Sequence, residues 1–196
     1  MTTWRMLIMV AALPVLAGCA GGSIASIALE LAGIRKTPEL PDAQKPPRRV
    51  PIRLHAGENL NTGAGSQPLA VVARIYKLRQ ASAFERVAYD GFLDPQRERE
   101  LLGPDLIEVR EVLLIPGQRY EVIEKVSREA YFIGVVALFR HPAAQRWRVA
   151  FAAGEAEKAG ITVGLHACAL SVGAGAPSAL ASAEANARPL AGLRCG

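Results

Sequence analysis

Aromatic side chains are scarce in this chain. Two Trp, four Tyr and five Phe make up 6% of its 196 residues, so a core has to be built mainly from aliphatic groups. Histidine is scarcer still. His55, His141 and His166 stand in no His-x-x-x-His or His-Glu-x-x-His spacing, the patterns that set two imidazoles on one helix face toward a metal. There is no Gly-x-Ser-x-Gly elbow to present a nucleophilic serine. Gly63-Ala64-Gly65-Ser66 is glycine-rich, but no Lys-Ser/Thr pair follows it, and it reads as a flexible loop rather than a phosphate cradle. The three cysteines, Cys19, Cys168 and Cys195, are too few and too dispersed for a zinc cage, and only His166 lies near one of them. Basic residues outnumber acidic ones 23 to 18, a formal net charge of +5. The positives are scattered, and no Lys/Arg block interleaves with aromatics, so nucleic acid is not an expected partner. These absences leave acid–base chemistry with few groups to use. The expectation is a protein that is not an enzyme, with no cofactor, no metal and no small-molecule substrate. A hydrophobic fraction of 51% against 21% charged residues excludes a disordered chain.

Long apolar runs are also missing, apart from Met6 to Leu16, which falls short of the roughly 20 residues a bilayer span requires. Arg5 precedes this run, and Leu16-Ala17-Gly18-Cys19 follows it. A positive start, a short apolar segment and small residues at a cleavage point resemble a bacterial lipoprotein signal. On that reading residues 1–18 are removed. The Cys19 thiol carries a diacylglycerol and its freed amine a third acyl chain. Each buried CH₂ contributes about 0.8 kcal/mol, and two chains suffice for stable anchoring. Ala20, where an Asp would signal retention, points to the outer membrane, with the folded part facing the periplasm. Cys168 and Cys195 are then an even pair in an oxidising compartment, where a disulfide is the default. It would contribute about 3.5 kcal/mol in the chain-entropy model.

Residues 19–49 read as a tether. Ser23 could cap a short helix, with Ile24, Ile27, Leu31 and Ile34 on one side. That helix could pack on the domain or dip into the membrane surface. Pro38, Pro41, Pro46 and Pro47 then stiffen the spacer. A folded domain is expected over 50–172. Val50, Ile52, Leu54 and Ala56 alternate with Arg53 and His55 as a half-buried strand, which Pro51 demotes toward an edge. Leu69 to Leu78 is apolar on both faces and should lie centrally. A helical insertion over about 82–103 follows. Ser82 with Glu85 forms a capping box. Asp94-Pro95 starts a second helix that stops at Gly103-Pro104, with Glu98 and Glu100 on its solvated surface. Asp105 to Ile115 and Arg119 to Val126 flank Pro116-Gly117, a type II turn, as a hairpin. Tyr131 to Phe139, Trp147 to Ala153 and Ile161 to Val172 complete the set. Seven or so strands with one insertion describe a β-sandwich. The Ala/Gly-rich tail occupies 173–196.

Binding on a rigid sandwich usually falls to its exposed loops. Gly57 to Pro68 is the leading segment, with Glu58, Asn59, Asn61 and Thr62 as polar groups and Leu60 as an apolar anchor. Leu60-Asn61, Arg74 to Leu78, Phe84, Pro116-Gly117, Tyr131 to Arg140 and Trp147-Arg148, in this order behind Cys19, resemble the type VI secretion system outer-membrane lipoprotein, the TssJ-type family. The resemblance implies a transthyretin-like, mainly β sandwich of seven to eight strands with a small helical insertion, and no catalysis. It further implies binding to the periplasmic C-terminal part of the TssM-type inner-membrane subunit, with the loop after the first strand carrying much of the contact. Here that places Glu58, Asn59, Leu60, Asn61, Thr62 and Gly63 at the interface. The residue patterns alone leave open a periplasmic lipoprotein that binds a small ligand or another envelope assembly.

Overall fold

The computed structural model describes residues 40–41, 44–62, 67–178 and 189–196. The signal segment, Cys19, Gly63 and the possible tether helix lie outside the described residues. The chain divides into two units, Met1–Glu39 and Leu40–Gly196; the fold below is that of the second.

Eight strands form two four-stranded sheets. In chain order they are β1 (Arg48–Ala56), β2 (Val71–Leu78), β3 (Leu106–Leu114), β4 (Arg119–Val126), β5 (Phe132–Ala137), β6 (Arg148–Ala152), β7 (Ile161–Leu165) and β8 (Leu170–Ala174). The first sheet runs β4-β1-β7-β8 and the second β3-β2-β5-β6. Period-two patterning in β1 sends Val50, Ile52, Leu54 and Ala56 into the core. They meet Ala73, Ile75, Ile133, Val135 and Val149 of the opposite sheet in one continuous apolar cluster. The expectation for β2 holds, since it lies between two partners; β5 does so too, and is buried over five of its six residues.

β1 is not an edge strand. It pairs antiparallel with β4 and parallel with β7. Ala56 donates its N–H to Gln118 O (2.9 Å) and Gly57 to Leu165 O (2.8 Å), so even-numbered amides of β1 face β4 and odd-numbered ones face β7. Pro51 is odd-numbered, and the β7 ladder starts only at Ile52↔Ile161. Its missing N–H therefore falls where no acceptor strand exists, and a proline sits inside a sheet at little cost.

Pro116-Gly117 does make the expected tight turn: Gly117 has φ +76°, and Gln118 N–H reaches Ile115 O at 3.1 Å. The flanking strands do not form a hairpin, however. β3 pairs with β2, and β4 with β1, so the turn carries the chain from the edge of one sheet to the edge of the other. Charges tie those edges together. Glu124 of β4 points inward and ion-pairs with Lys77 Nζ of β2 (3.2 Å) and Arg110 Nε of β3 (2.8 Å). The expected last strand, Ile161 to Val172, is two strands, because residues 166–169 turn the chain back and β7 pairs with β8. Between β6 and β7 lies a helix with no expected counterpart, Ala153–Ala159. Its Ala/Glu/Lys composition favours helix, Ala153 and Ala156 are buried, and Gly160 ends it at φ +71°.

The insertion between β2 and β3 covers the outer face of the second sheet. Its first helix, α1 (Ser82–Arg86), starts one residue earlier than a capping box requires. Ala81 occupies the cap position and no side chain caps it, while Glu85 accepts from Ser178 Oγ (3.2 Å). The carbonyl end is closed instead by Arg148 of β6, which donates to Phe84 O (2.9 Å), Glu85 O and Val87 O and stacks on Trp147 at 4.5 Å. Helix α2 (Pro95–Leu102) is capped as expected, with Asp94 Oδ1 accepting from the N–H of Gln96 (2.8 Å) and Arg97 (3.1 Å). Its Glu98 is not solvated. It is 3% exposed and accepts from Arg74 Nη1 of β2 (2.7 Å) and from Tyr76 Oη. Leu102, four residues on, shares its inward face. Tyr76, Phe84 and Phe92 pack together above the sheet, 5.3–5.9 Å between ring centres, Phe92 edge to face with the other two. Gly134 is obligatory there: a Cβ on it would come within 2.6 Å of the Phe84 ring.

Candidate partner interface

The loop after β1 begins at Gly57. Its conformation follows from two residues that turn inward. Leu60 is fully buried and belongs to the sandwich core. Its N–H reaches back to Gly57 O (3.0 Å), and its carbonyl accepts from Leu69 N–H (2.9 Å). Asn61 is 6% exposed and has φ +54°, a left-handed conformation that Asn tolerates better than other side chains. Every polar group of Asn61 that points inward is matched. Its N–H donates to His166 O (3.0 Å), Nδ2 donates to Ala70 O (2.8 Å), and Oδ1 accepts from Arg140 N–H (2.7 Å). One residue thus ties the loop to three other segments, two of them through its side chain.

Leu60, expected as an apolar anchor for a partner, and Asn61, expected as a contact, thus have their side chains turned into the domain, where they hold the loop. The groups left facing out are Glu58 and Asn59, both exposed, and the half-buried Thr62. Thr62 Oγ1 donates to Asn59 O (3.1 Å), which closes the exposed turn on itself. The Glu58 carboxylate lies over the β3–β4 turn, where a Cβ on Gly117 would come within 2.8 Å of Glu58 Oε1. Gly117 N–H also approaches Gly57 O at 3.4 Å. The loop and the turn therefore form one end of the sandwich.

A second support comes from the C-terminus. Cys168 and Cys195 are disulfide-bonded, with Cα atoms 5.7 Å apart. With Ala143, Ala169, Leu190 and Leu193 they form a small satellite cluster. Asn59 and His166 border the same cleft, of about 240 Å³. His166 is half-buried, and its Nε2 lies 2.8 Å from Ser171 Oγ. Burial, with the Arg146 guanidinium nearby, lowers its pKa from the ordinary value. His55 lies on the outer face of β1, and His141 is exposed in the turn before β6. Among the described residues, no group of three or more His, Cys, Asp or Glu is placed to hold a metal. The only sequence signal for the supporting roles of Arg140 and His166 was their place at the ends of strand patterns, which says nothing about where their backbone groups point.

Residues 48–168 match the family model T6SS-SciN, described as type VI secretion lipoprotein, VasD, EvfM, TssJ. The chain belongs to this family. The structure of the T6SS lipoprotein TssJ1 from Pseudomonas aeruginosa is similar, with 30% identity, a TM-score of 0.56, and coverage of 66% of this chain and 97% of that one. A chain of a structure described as the type VI membrane complex aligns with a TM-score of 0.58 and 28% identity over 64% of this chain and 97% of that one. A chain of the structure described as the T6SS protein TssM C-terminal domain from EAEC aligns at 0.53 and 27% identity, again over 64% and 97%. None of the curated proteins compared matches the chain. The TssJ family is a structural lipoprotein family of the type VI secretion system, and this chain shares its mainly β sandwich.

Proposed function

We propose that this TssJ-family lipoprotein is fixed to the outer membrane by acyl chains on Cys19 and grips the periplasmic C-terminal part of the TssM-type inner-membrane subunit. In this role it is a mechanical adaptor and performs no catalysis. One observation carries the reading: the loop at the end of β1 is held rigid from inside while Glu58, Asn59 and Thr62 stay outside. A preorganised loop loses little conformational entropy when a partner docks. The geometry of β1 supports the same arrangement. The tether enters at Arg48, and the loop leaves after Ala56 at the opposite end of the strand. A pull on the loop is then carried along a strand bonded on both sides. The similarity to chains from the membrane complex and from the TssM C-terminal domain structure agrees with this partner. Tethering both proteins raises their effective concentration, so moderate affinity suffices.

Two measurements test it. Cys19→Ser should move the protein from the outer-membrane fraction to the soluble periplasm; retention in the membrane would refute the anchor. The Cys19-free domain should co-purify with the periplasmic part of the TssM-type subunit, and the double variant Glu58→Ala, Asn59→Ala should reduce recovery without changing the melting temperature. Undiminished recovery would move the contact away from the loop.

A further inference from the structure

The outer face of the first sheet carries a trough beside the candidate loop. One row of residues crosses all four strands on that face: Arg119 of β4 opposite His55 of β1, His55 opposite Gly164 of β7, and Gly164 opposite Ser171 of β8. Two large cationic or titratable side chains thus stand next to a position with no side chain at all. The result is an open groove of about 440 Å³, continued on the β7 and β8 side by Thr162 and Gly173. His166 and Ser171, hydrogen-bonded to one another, form the far wall. Glu58 closes the end nearest the loop.

One cation in this groove lacks an ion-pair partner. In the next row, Arg53 is matched by Glu121 at 3.7 Å. Arg119 is exposed and has no acidic partner among the described residues, and it stands directly across from His55. An anion seated against Arg119 would supply the missing partner, with the His55 ring beside it. The hydroxyls of Thr162 and Ser171 offer further donors, and Glu58 repels an anion from the loop end, toward Arg119 and His55.

We propose that this groove receives an acidic side chain, Asp or Glu, on an extended segment of the same protein that the 57–62 loop engages. The inference rests on the partner reading above and adds a second contact to it. The loop provides position and the groove provides charge selection, which suppresses neutral or basic competitors more than it adds affinity.

The test titrates the Cys19-free domain with the periplasmic C-terminal part of the TssM-type subunit, by calorimetry, at about 50 and 300 mM salt. Arg119→Glu should weaken binding about tenfold or more and flatten its salt dependence, whereas Arg119→Lys should stay within about threefold of the unaltered domain. Gly173→Leu fills the trough without touching a charge. A Cβ there meets Thr162 only at 3.4 Å, so the fold tolerates the change, and binding should again fall. Melting curves confirm that each variant is folded. If Arg119→Glu and Gly173→Leu both bind like the unaltered domain while Asn59→Ala, which leaves the groove lining intact, weakens binding, the groove inference is wrong and the loop reading stands. If the unaltered domain does not bind the TssM-type part at all, both are wrong.

Discussion

Asn61 holds the loop through three hydrogen bonds to segments 9, 79 and 105 residues away in sequence (Ala70, Arg140 and His166). Asn61→Ala leaves two part-buried backbone groups, Ala70 O and Arg140 N–H, without their side-chain partner, at about 0.5–1.5 kcal/mol each. Leu60→Ala opens a cavity in the core, at about 2–5 kcal/mol. Urea denaturation should show both losses, whereas Glu58→Ala and Asn59→Ala should stay within about 0.5 kcal/mol of the parent. Equal stability of all four variants would contradict the division between holding and contacting residues. His166 adds a pH dependence. Its folded-state pKa lies below the usual 6.5, so the unfolded chain binds the proton first. Stability is then complete above that value and falls as the pH drops through it. Melting temperatures at about pH 7.5 and 5.5 should fall more in the parent than in His166→Gln; parallel slopes would remove His166 from the account. Alternation along β1 was enough to predict which residues face inward. It could not show that Leu60 and Asn61 also turn inward, because a loop has no period and its burial depends on segments far away in the chain.

The helical insertion shows how elements depend on one another. Asp94 caps α2 from within its own sequence, and that start was legible. α1 is different: its carbonyl end is satisfied by Arg148, more than sixty residues away, so no local pattern identified its boundary. Glu98 read as solvated because its neighbours along the chain are polar. What decides its burial is Arg74 on β2, which faces the insertion and ion-pairs with both Glu98 and Glu111. Glu98→Ala leaves Arg74 with Glu111 as its one acidic partner, beside the Phe92 carbonyl, and removes the carboxylate that accepts from Tyr76 Oη. The expected loss is about 3 kcal/mol, the low end for a broken buried pair, because Glu111 remains. A loss below about 0.5 kcal/mol in chemical denaturation would mean that the pair contributes no more than a surface bridge.

At the scale of the whole molecule, two closures complete the sandwich. On one side the Pro116-Gly117 turn joins the sheets, and the Lys77–Glu124–Arg110 charges tie them. On the other, the chain leaving β8 crosses to β6, where Pro177 bridges Phe151 and Ser178 N–H reaches Ala150 O. The Cys168–Cys195 disulfide then fastens the terminus beside the loop. Reduction should lower stability by about 3.5 kcal/mol in the chain-entropy model, read as a shift in the urea midpoint between oxidised and reduced protein. An unchanged midpoint would show that the terminus contributes nothing to the fold.

Composition, strand periodicity and the residues behind Cys19 determined the class of this protein: a mainly β sandwich with a helical insertion, in a lipoprotein family. Those properties are local, because period-two burial, a proline-glycine turn and an Asp-Pro cap are each written within a few adjacent residues. Strand partners were decided only in three dimensions. That is why β1 lies inside its sheet despite Pro51, why β3 and β4 part company across a tight turn, and why Glu98 is buried. The loop follows the same rule. Its composition marked it as exposed and polar, but which of its side chains face out depends on acceptors at residues 70 and 166, a donor at residue 140 and the apolar surface of the core.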